Sequence, residues 1–572
     1  MTLAELRARG ALELLDLELA RTLCRIAKTD DEETALAIAL TSRSVRQGHS
    51  CFPMRLDDDQ IWRGEASLLE ALPERSSWIR ILAASPLCDG GPLVLDVDGR
   101  LYLRRYWQLE RNIANTLAAR AEVLPLVEAS DDARNERLRR LFPDGPASPG
   151  ARAARTALGH RISLLCGGPG TGKTTTVAAI LAVLIEEAEA RGEPAPTIRL
   201  LAPTGKAAAR LGEAVRRAKS RIDVPVQVLD AIPTEASTVQ RALGMRSSGM
   251  RFSRNAERPL EADVVVVDEA SMIDLALMNQ LLEATRTDAR LIVVGDPNQL
   301  TSVEAGSVLQ DLVTASSQTW WKGRLTTLTK TYRYDATRPL GHLIEAVRIG
   351  DRERVDDLLG GSGREDITWL PSERLADELD RSAERWSAIV ETTDPQEHFR
   401  KREEYVVLTP FRKGPTGTRR LGAEIQERHA ARGTRSGLAR PILIEENSNE
   451  LRVYNGDFAM IREGETCTGY VQGEEGRARA IAAARLPRHS DAYALSVHKA
   501  QGSEFDELLL ILPEEDAPLL TRELLYTALS RARQRVRIVG SKDVLLGALA
   551  RRAERHSGLV PALGQAAPLK HH

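Results

Sequence analysis

The sequence predicts an α/β protein. It has two lobes, each a parallel sheet covered by helices on both faces, with an N-terminal mainly helical module and a small β-barrel inserted in the second lobe. Three observations carry this. From Arg161 onward, short runs apolar on both faces (RISLLC, TIRLLAP, ADVVVVDEAS, ARLIVVGD) alternate with helical stretches, the pattern of parallel strands buried on both sides. A second series follows: EYVVLTP (404–410), AYALSVHKAQG (492–502), DELLLILP (506–513) and RVRIVG (535–540). Between them, residues 441–485 open with PILIEENSNELRVYNGDFAMIREGETCTGYVQ, whose short strands and Asn-Gly or Gly turns read as the barrel.

The elements fall in order along 572 residues, long enough for roughly three to four units at about 150 residues each. Residues 1–110 read as mostly helical and close with PLVLDVDGRLYLRRYW, a hairpin with Asp98-Gly99 at its turn. EASDDARNERLRRLFPDGPASPGAR (128–152) is charged, then rich in Pro and Gly, and suits a linker. The expected division is 1–115 for the N-terminal module, 116–150 for linker and lead-in helix, 151–335 for the first lobe and 336–572 for the second, with the insertion at about 425–490.

Charged residues are 28%, apolar ones 42%, and the formal charge is −2, which excludes a generic polyanion binder. A nucleic-acid surface would have to be a local patch. Cys24, Cys51, Cys88, Cys166 and Cys467 are scattered without metal-like spacing and read as reduced thiols. The first residues, MTLAELRARGALELLDLELA, are charged throughout and read as an amphipathic helix rather than a signal peptide. No apolar run approaches the ~20 residues that cross a bilayer, so the expectation is a cytoplasmic protein without a membrane partner.

LLCGGPGTGKTTTV sets Gly167 and Gly172-Lys173-Thr174 at phosphate-cradle spacing between a predicted strand and a predicted helix. Gly167, Gly168, Pro169, Gly170, Thr171, Gly172, Lys173, Thr174 and Thr175 form the candidate cradle for a nucleoside triphosphate. Glycines let backbone N–H groups reach phosphate oxygens, and the helix N-terminus adds a favourable dipole. Lys173 would reach the β- and γ-phosphates, and the Thr174 hydroxyl would take one Mg²⁺ position. Downstream, Asp268 leaves a run of four valines, placed to hold Mg²⁺, and Glu269 is the candidate base that orients the attacking water. Asp296 and Gln299 close the next strand, in VVGDPNQL. Ligands of such sheets sit at the carboxyl ends of strands, so the Gln299 amide can report loss of the γ-phosphate to whatever its loop touches.

GGPGTGKTTT, LLAPTGKAAARL, VVVVDEASMIDLALM, VVGDPNQLTSVEAGSVLQDL, LTKTYRYD, ALSVHKAQGSEFDELLLIL and LLYTALSRARQRV resemble motifs I, Ia, II, III, IV, V and VI of superfamily 1 helicases, in order. The resemblance is strongest to the RecD family, α subunits of exodeoxyribonuclease V (RecBCD), and covers roughly residues 90–545. It implies two RecA-like lobes, ATP and Mg²⁺ as cofactors, and 5′-to-3′ movement on single-stranded and duplex-end DNA. It also implies RecB- and RecC-like partner subunits, with residues 1–110 either docking to one of them or only capping the fold. Catalytic roles pass to Lys173, Asp268, Glu269, Gln299 and two candidate arginine fingers, Arg333 and Arg531, since guanidinium groups stabilise a transferring phosphoryl group.

The same resemblance lays a DNA track over Thr204, Lys206, Thr238, Asn298, Thr409, Ser496 and His498, as sequence-blind backbone contacts. Gln501, Gly502 and Glu504 would couple that strand to the nucleotide. His498 also reads as a packed loop histidine. The helix KAAARLGEAVRRAKSR, rich in Lys and Arg, reads either as a DNA-facing patch or as a solvated face. Aromatics are 4% and none lies in motifs Ia or III, so base stacking is expected to be a minor grip.

Two departures stand out. The family has a glutamine about a dozen residues before the P-loop strand that reads adenine; here none lies between Gln108 and Gln227. Where RecD-like chains carry His in STxH, this one has Gln240. No nuclease carboxylate cluster is visible. The alternatives are a stand-alone helicase of the same branch or an ATP-switched regulatory subunit.

Overall fold

The computed structural model describes residues 2–55, 72–122, 124, 131–245, 252–317, 320–332, 338–361, 365–432, 439–448, 450–462, 467–473 and 477–566. Its first lobe is a six-stranded sheet in the order Ala236–Thr238, Ile198–Ala202, Val264–Val267, Arg290–Gly295, Ile162–Gly167, Leu325–Leu328, parallel at every pairing. Val264–Val267 is buried at all four positions, as β-branched residues covered on both faces should be. The P-loop strand Ile162–Gly167 lies between the strands ending at Gly295 and Leu328, which brings the turns after all three to one edge.

The second lobe is also wholly parallel, in the order Ile367–Leu370, Ala532–Val539, Phe505–Ile511, Tyr405–Thr409, Leu495–Ser496. Of AYALSVHKAQG only Leu495–Ser496 is strand. The Ser496 hydroxyl then accepts from Lys499 N (3.4 Å) and starts a single tight turn, Val497–Ala500.

The insertion is a five-stranded antiparallel sheet, Ala478–Ala482, Thr468–Gln472, Phe458–Arg462, Ala439–Ile444, His489–Asp491. Among the described residues its two outer strands do not pair, so the closure expected of a barrel is not seen. Turn residues dictate which neighbours form hairpins, whereas closure depends on strand tilt and stagger, which no local signal carries.

The N-terminal module packs Leu14–Ala27 and Glu32–Arg46 against a small antiparallel sheet of Phe52–Pro53, Arg100–Leu103 and Leu93–Leu95. Gly99, at φ 77°, makes the turn that precedes Arg100–Leu103. The stretch read as a linker is largely helical. Asp131–Leu141 lays Arg134 and Arg137 on Glu187 (3.3 and 2.8 Å) and Arg140 on Glu186, along the helix that follows the P-loop. At the other end, residues after Ala550 leave the second lobe. Leu559 and Leu563 enter the first lobe's core, and Trp320 Nε1 donates to Leu563 O (2.8 Å).

Candidate nucleotide site and strand path

Gly170 and Gly172 take left-handed φ values of 74° and 81°, which fold the P-loop back over the strand, and Gly172 caps the helix Lys173–Ala190. The Thr171 hydroxyl donates to Gly168 O (2.9 Å). The Lys173 ammonium is held by the carbonyls of Gly167 (2.8 Å) and Gly168 (3.0 Å), inside the loop whose phosphate it is read to reach. Thr174 is half-buried and Thr175 exposed on the helix's first turn. Burial and the neighbouring Glu269 charge push the Asp268 carboxyl up to about 6, with Lys173 opposing. A sunken carboxylate whose anion is short of positive charge fits a divalent cation. Glu269 takes φ 52°, a left-handed conformation rare for a residue with a side chain, which turns it out of the strand direction.

The loop after Gly295 is wired across the seam between the lobes. Asp296 accepts from Asn298 N (3.0 Å), Gln299 Nε2 (3.1 Å) and, from the second lobe, Tyr526 Oη (3.0 Å). Leu300 N donates to Thr527 Oγ1 (2.9 Å), and Gln501 Nε2 donates to Leu300 O (3.2 Å). Gln299 is 4% exposed, so its amide is fixed beside the P-loop edge. Tyr526 also leans over the P-loop: a Cβ on Gly168 would stand 2.9 Å from its hydroxyl.

Arg531 is buried in the same seam at 3% exposure. Its guanidinium donates to Thr527 O (3.0 Å), Ser530 Oγ (3.1 Å) and Ser503 O (3.4 Å). Burial lowers its pKa, while the charges of Glu269 and Glu504 act the other way. Glu504 meets Arg533 (3.3 Å) on its own lobe and Arg210 (3.7 Å) on the other, and Gly502 takes φ 68° just before it. Arg333 lies outside the described residues.

The strand-path residues divide. Thr204 and Thr238 are half-buried caps, accepting from Ala207 N and Arg241 N (both 3.2 Å), and Asn298 is half-buried with its amide turned to Asp296. Lys206 does not present a free ammonium: it donates to the Ser503 hydroxyl across the seam, and burial lowers its pKa to about 7. Thr409 is 0% exposed and its hydroxyl donates to Thr416 O (2.6 Å), so its side chain has no reach to a strand. Ser496 is buried with its hydroxyl spent on the cap at Lys499. A threonine or serine at a strand end looks the same in sequence whether its hydroxyl faces a ligand or closes a turn. His498 is half-buried, and burial lowers its pKa. The basic helix Gly205–Lys219 is no single face either: Arg210 enters the seam, Arg217 pairs with Glu213, and Lys219 donates to Ile232 O (2.9 Å).

Residues 8–102 match the model for the RecBCD enzyme subunit RecD N-terminal domain, 151–305 an AAA domain and 491–539 a UvrD-like helicase C-terminal domain. The chain is 40% identical over 569 residues to the RecBCD enzyme subunit RecD of Mycobacterium tuberculosis strain H37Rv, covering 96% of this chain and 94% of that protein. The chain belongs to the RecD family. A Mycolicibacterium smegmatis RecD subunit is 37% identical over 96% of this chain and 97% of its own length. An ATP-dependent RecD2 DNA helicase of Deinococcus radiodurans is 33% identical over 80% of this chain, but only 57% of that protein is matched.

For this RecD-family chain, sequence reasoning missed Tyr526, Thr527 and Ser503, which make the cross-lobe bonds. All three stand inside motif strings that were legible, LLYTALSRARQRV and ALSVHKAQGSEF, one to five residues from the positions singled out. Tyr332 was missed too. Its N donates to Gly170 O (2.7 Å), its hydroxyl to Asp144 (2.8 Å), and its ring stands 3.7 Å from where a Cβ on Gly172 would be.

Proposed function

We propose that the chain is an ATP-driven 5′-to-3′ DNA translocase and helicase. It acts in the cytoplasm as the RecD subunit of a RecBCD-type enzyme in recombinational repair, with RecB- and RecC-like partners. The observation that carries the reading is the seam: Lys173, Asp268, Glu269 and Gln299 line one wall, and Arg531 with Tyr526 lines the other. The RecD-type N-terminal match over residues 8–102 favours the subunit over the stand-alone reading.

In this reading Lys173 leaves the carbonyls of Gly167 and Gly168 for the phosphates of ATP. Thr174 and Asp268 would hold Mg²⁺, which would supply positive charge against the phosphates. Glu269 orients the attacking water, and Arg531 comes in from the second lobe to stabilise developing charge, so hydrolysis requires closure. Because the Asp296–Leu300 loop is bonded to Tyr526, Thr527 and Gln501, a change at the Gln299 amide moves the second lobe. Alternating closure and opening ratchets a strand lying over both lobes.

The test is ATP hydrolysis with and without single-stranded DNA, paired with unwinding of 5′- and 3′-tailed duplexes. The expected result is stimulation by DNA and unwinding from the 5′ tail. Unwinding from 3′ tails alone overturns the polarity, and hydrolysis that ignores DNA overturns the motor.

A further inference from the structure

Composition argues against base stacking, because aromatics are 4% of the chain and none lies in motif Ia or III. The fold supplies one from elsewhere. The insertion's turn Tyr454-Asn455-Gly456-Asp457 reaches down to the first lobe, and the Tyr454 side chain lies directly on Gly205 of motif Ia. A Cβ at residue 205 would stand 2.7 Å from Tyr454 Cβ and Cγ and 2.9 Å from its ring edge. That glycine is thereby required for space rather than for backbone conformation.

Two cations bond to the turn's side chains. Arg241, in the turn capped by Thr238, donates from Nη1 to the Tyr454 hydroxyl at 3.4 Å. Lys499, in motif V, donates to Asn455 Oδ1 at 2.8 Å. The turn itself is stiffly held: Tyr454 N donates to Asp457 Oδ2 (2.7 Å), Asn455 N to Asn447 Oδ1 (2.8 Å) and Gly456 N to Ile444 O (2.9 Å). Gly456 at φ 93° permits the tight reversal. A half-buried ring on the glycine that follows Thr204, with Arg241 at its hydroxyl and Lys499 on the neighbouring Asn455, has the parts of a single-strand platform: cations for phosphates and a π-face for a base.

We propose that Tyr454 is a nucleobase-stacking residue, contributed by the inserted sheet to the strand path that crosses motif Ia. The inference rests on the DNA-translocase reading. It adds one sequence-tolerant grip, since every base presents a π-face, and makes the insertion part of the DNA site rather than an ornament on the second lobe.

The experiment measures binding of the full chain to an oligothymidylate and to a set in which one abasic site is walked along the strand. The wild-type chain is expected to lose about ten-fold in affinity when the abasic site reaches one particular position. Tyr454→Ala should weaken binding to the intact oligonucleotide by about the same factor and be insensitive to that abasic position, while Tyr454→Phe keeps both properties. Gly205→Ala, whose Cβ displaces the ring at a helix position that favours alanine, should behave like Tyr454→Ala. Equal thermal midpoints show that the variants are folded. A flat abasic scan with the wild-type chain overturns the stacking role. So does equal loss in Tyr454→Phe and Tyr454→Ala, which would mark the hydroxyl bond to Arg241 as the working feature. A wild-type chain that binds no single-stranded DNA overturns the strand path itself, and this inference with it.

Discussion

The Tyr526 hydroxyl donates to the Asp296 carboxylate at 3.0 Å, joining the second lobe to the loop that carries Gln299 in the first. Asp296 is thus shared between a residue at the nucleotide edge and a residue of the opposite lobe. Tyr526→Phe removes the shared bond and keeps the ring. It is expected to cost about 1 kcal/mol of stability and to reduce DNA-stimulated hydrolysis several-fold more than hydrolysis without DNA. Steady-state rates with and without single-stranded DNA check this.

Gln299→Ala should separate fuel use from movement. With the amide gone, the loop still holds Thr527 through Leu300 N, but the report that the proposed function assigns to Gln299 is lost. Base pairs unwound per ATP hydrolysed are expected to fall more than the hydrolysis rate does. Equal falls in both would make Gln299 purely catalytic.

Lys206 and Ser503 tie motif Ia to motif V across the seam. Lys206→Met and Ser503→Ala should be non-additive, with a coupling energy of about 1 kcal/mol in a double-mutant cycle on stability. Independent effects would mean that the ammonium finds another partner.

Acid sensitivity has an assignable contributor. His398 is 0% exposed, and burial with the charges of Arg462 and Arg402 lowers its pKa to about 3. The unfolded chain binds that proton below about 6.5 and the folded chain does not until about 3. Lowering pH through this window therefore favours unfolding, by up to about 1.4 kcal/mol per pH unit for the one site. His398→Leu is expected to flatten the fall of the urea midpoint between pH 7 and 5. The same slope in wild type and variant would contradict the neutral, buried imidazole.

The parallel sheets were readable because burial on both faces leaves a local record: four successive valines at 264–267 admit no other placement. The P-loop was readable because its glycines are demanded by backbone geometry at Gly170 and Gly172. Leu325–Leu328, an edge strand of LTTL, left too short a record to be seen. What joins the lobes was invisible for a different reason. Tyr526 meets Asp296, Lys206 meets Ser503 and Tyr454 meets Gly205 only after two sheets and an insertion have packed, and no periodicity encodes a contact at that separation. Thr409 shows the converse, since its motif-like setting suggests a ligand while its hydroxyl closes its own turn.

In the proposed function hydrolysis needs both walls of the seam, and Arg531 is the residue whose removal takes one wall away. Its kcat for ATP at saturating single-stranded DNA should fall at least about 100-fold in Arg531→Ala, and Arg531→Lys should recover little of it, because a point charge does not replace the planar fork. An Arg531→Ala chain that stays folded and hydrolyses ATP at the wild-type rate would show that the second wall has no part in hydrolysis.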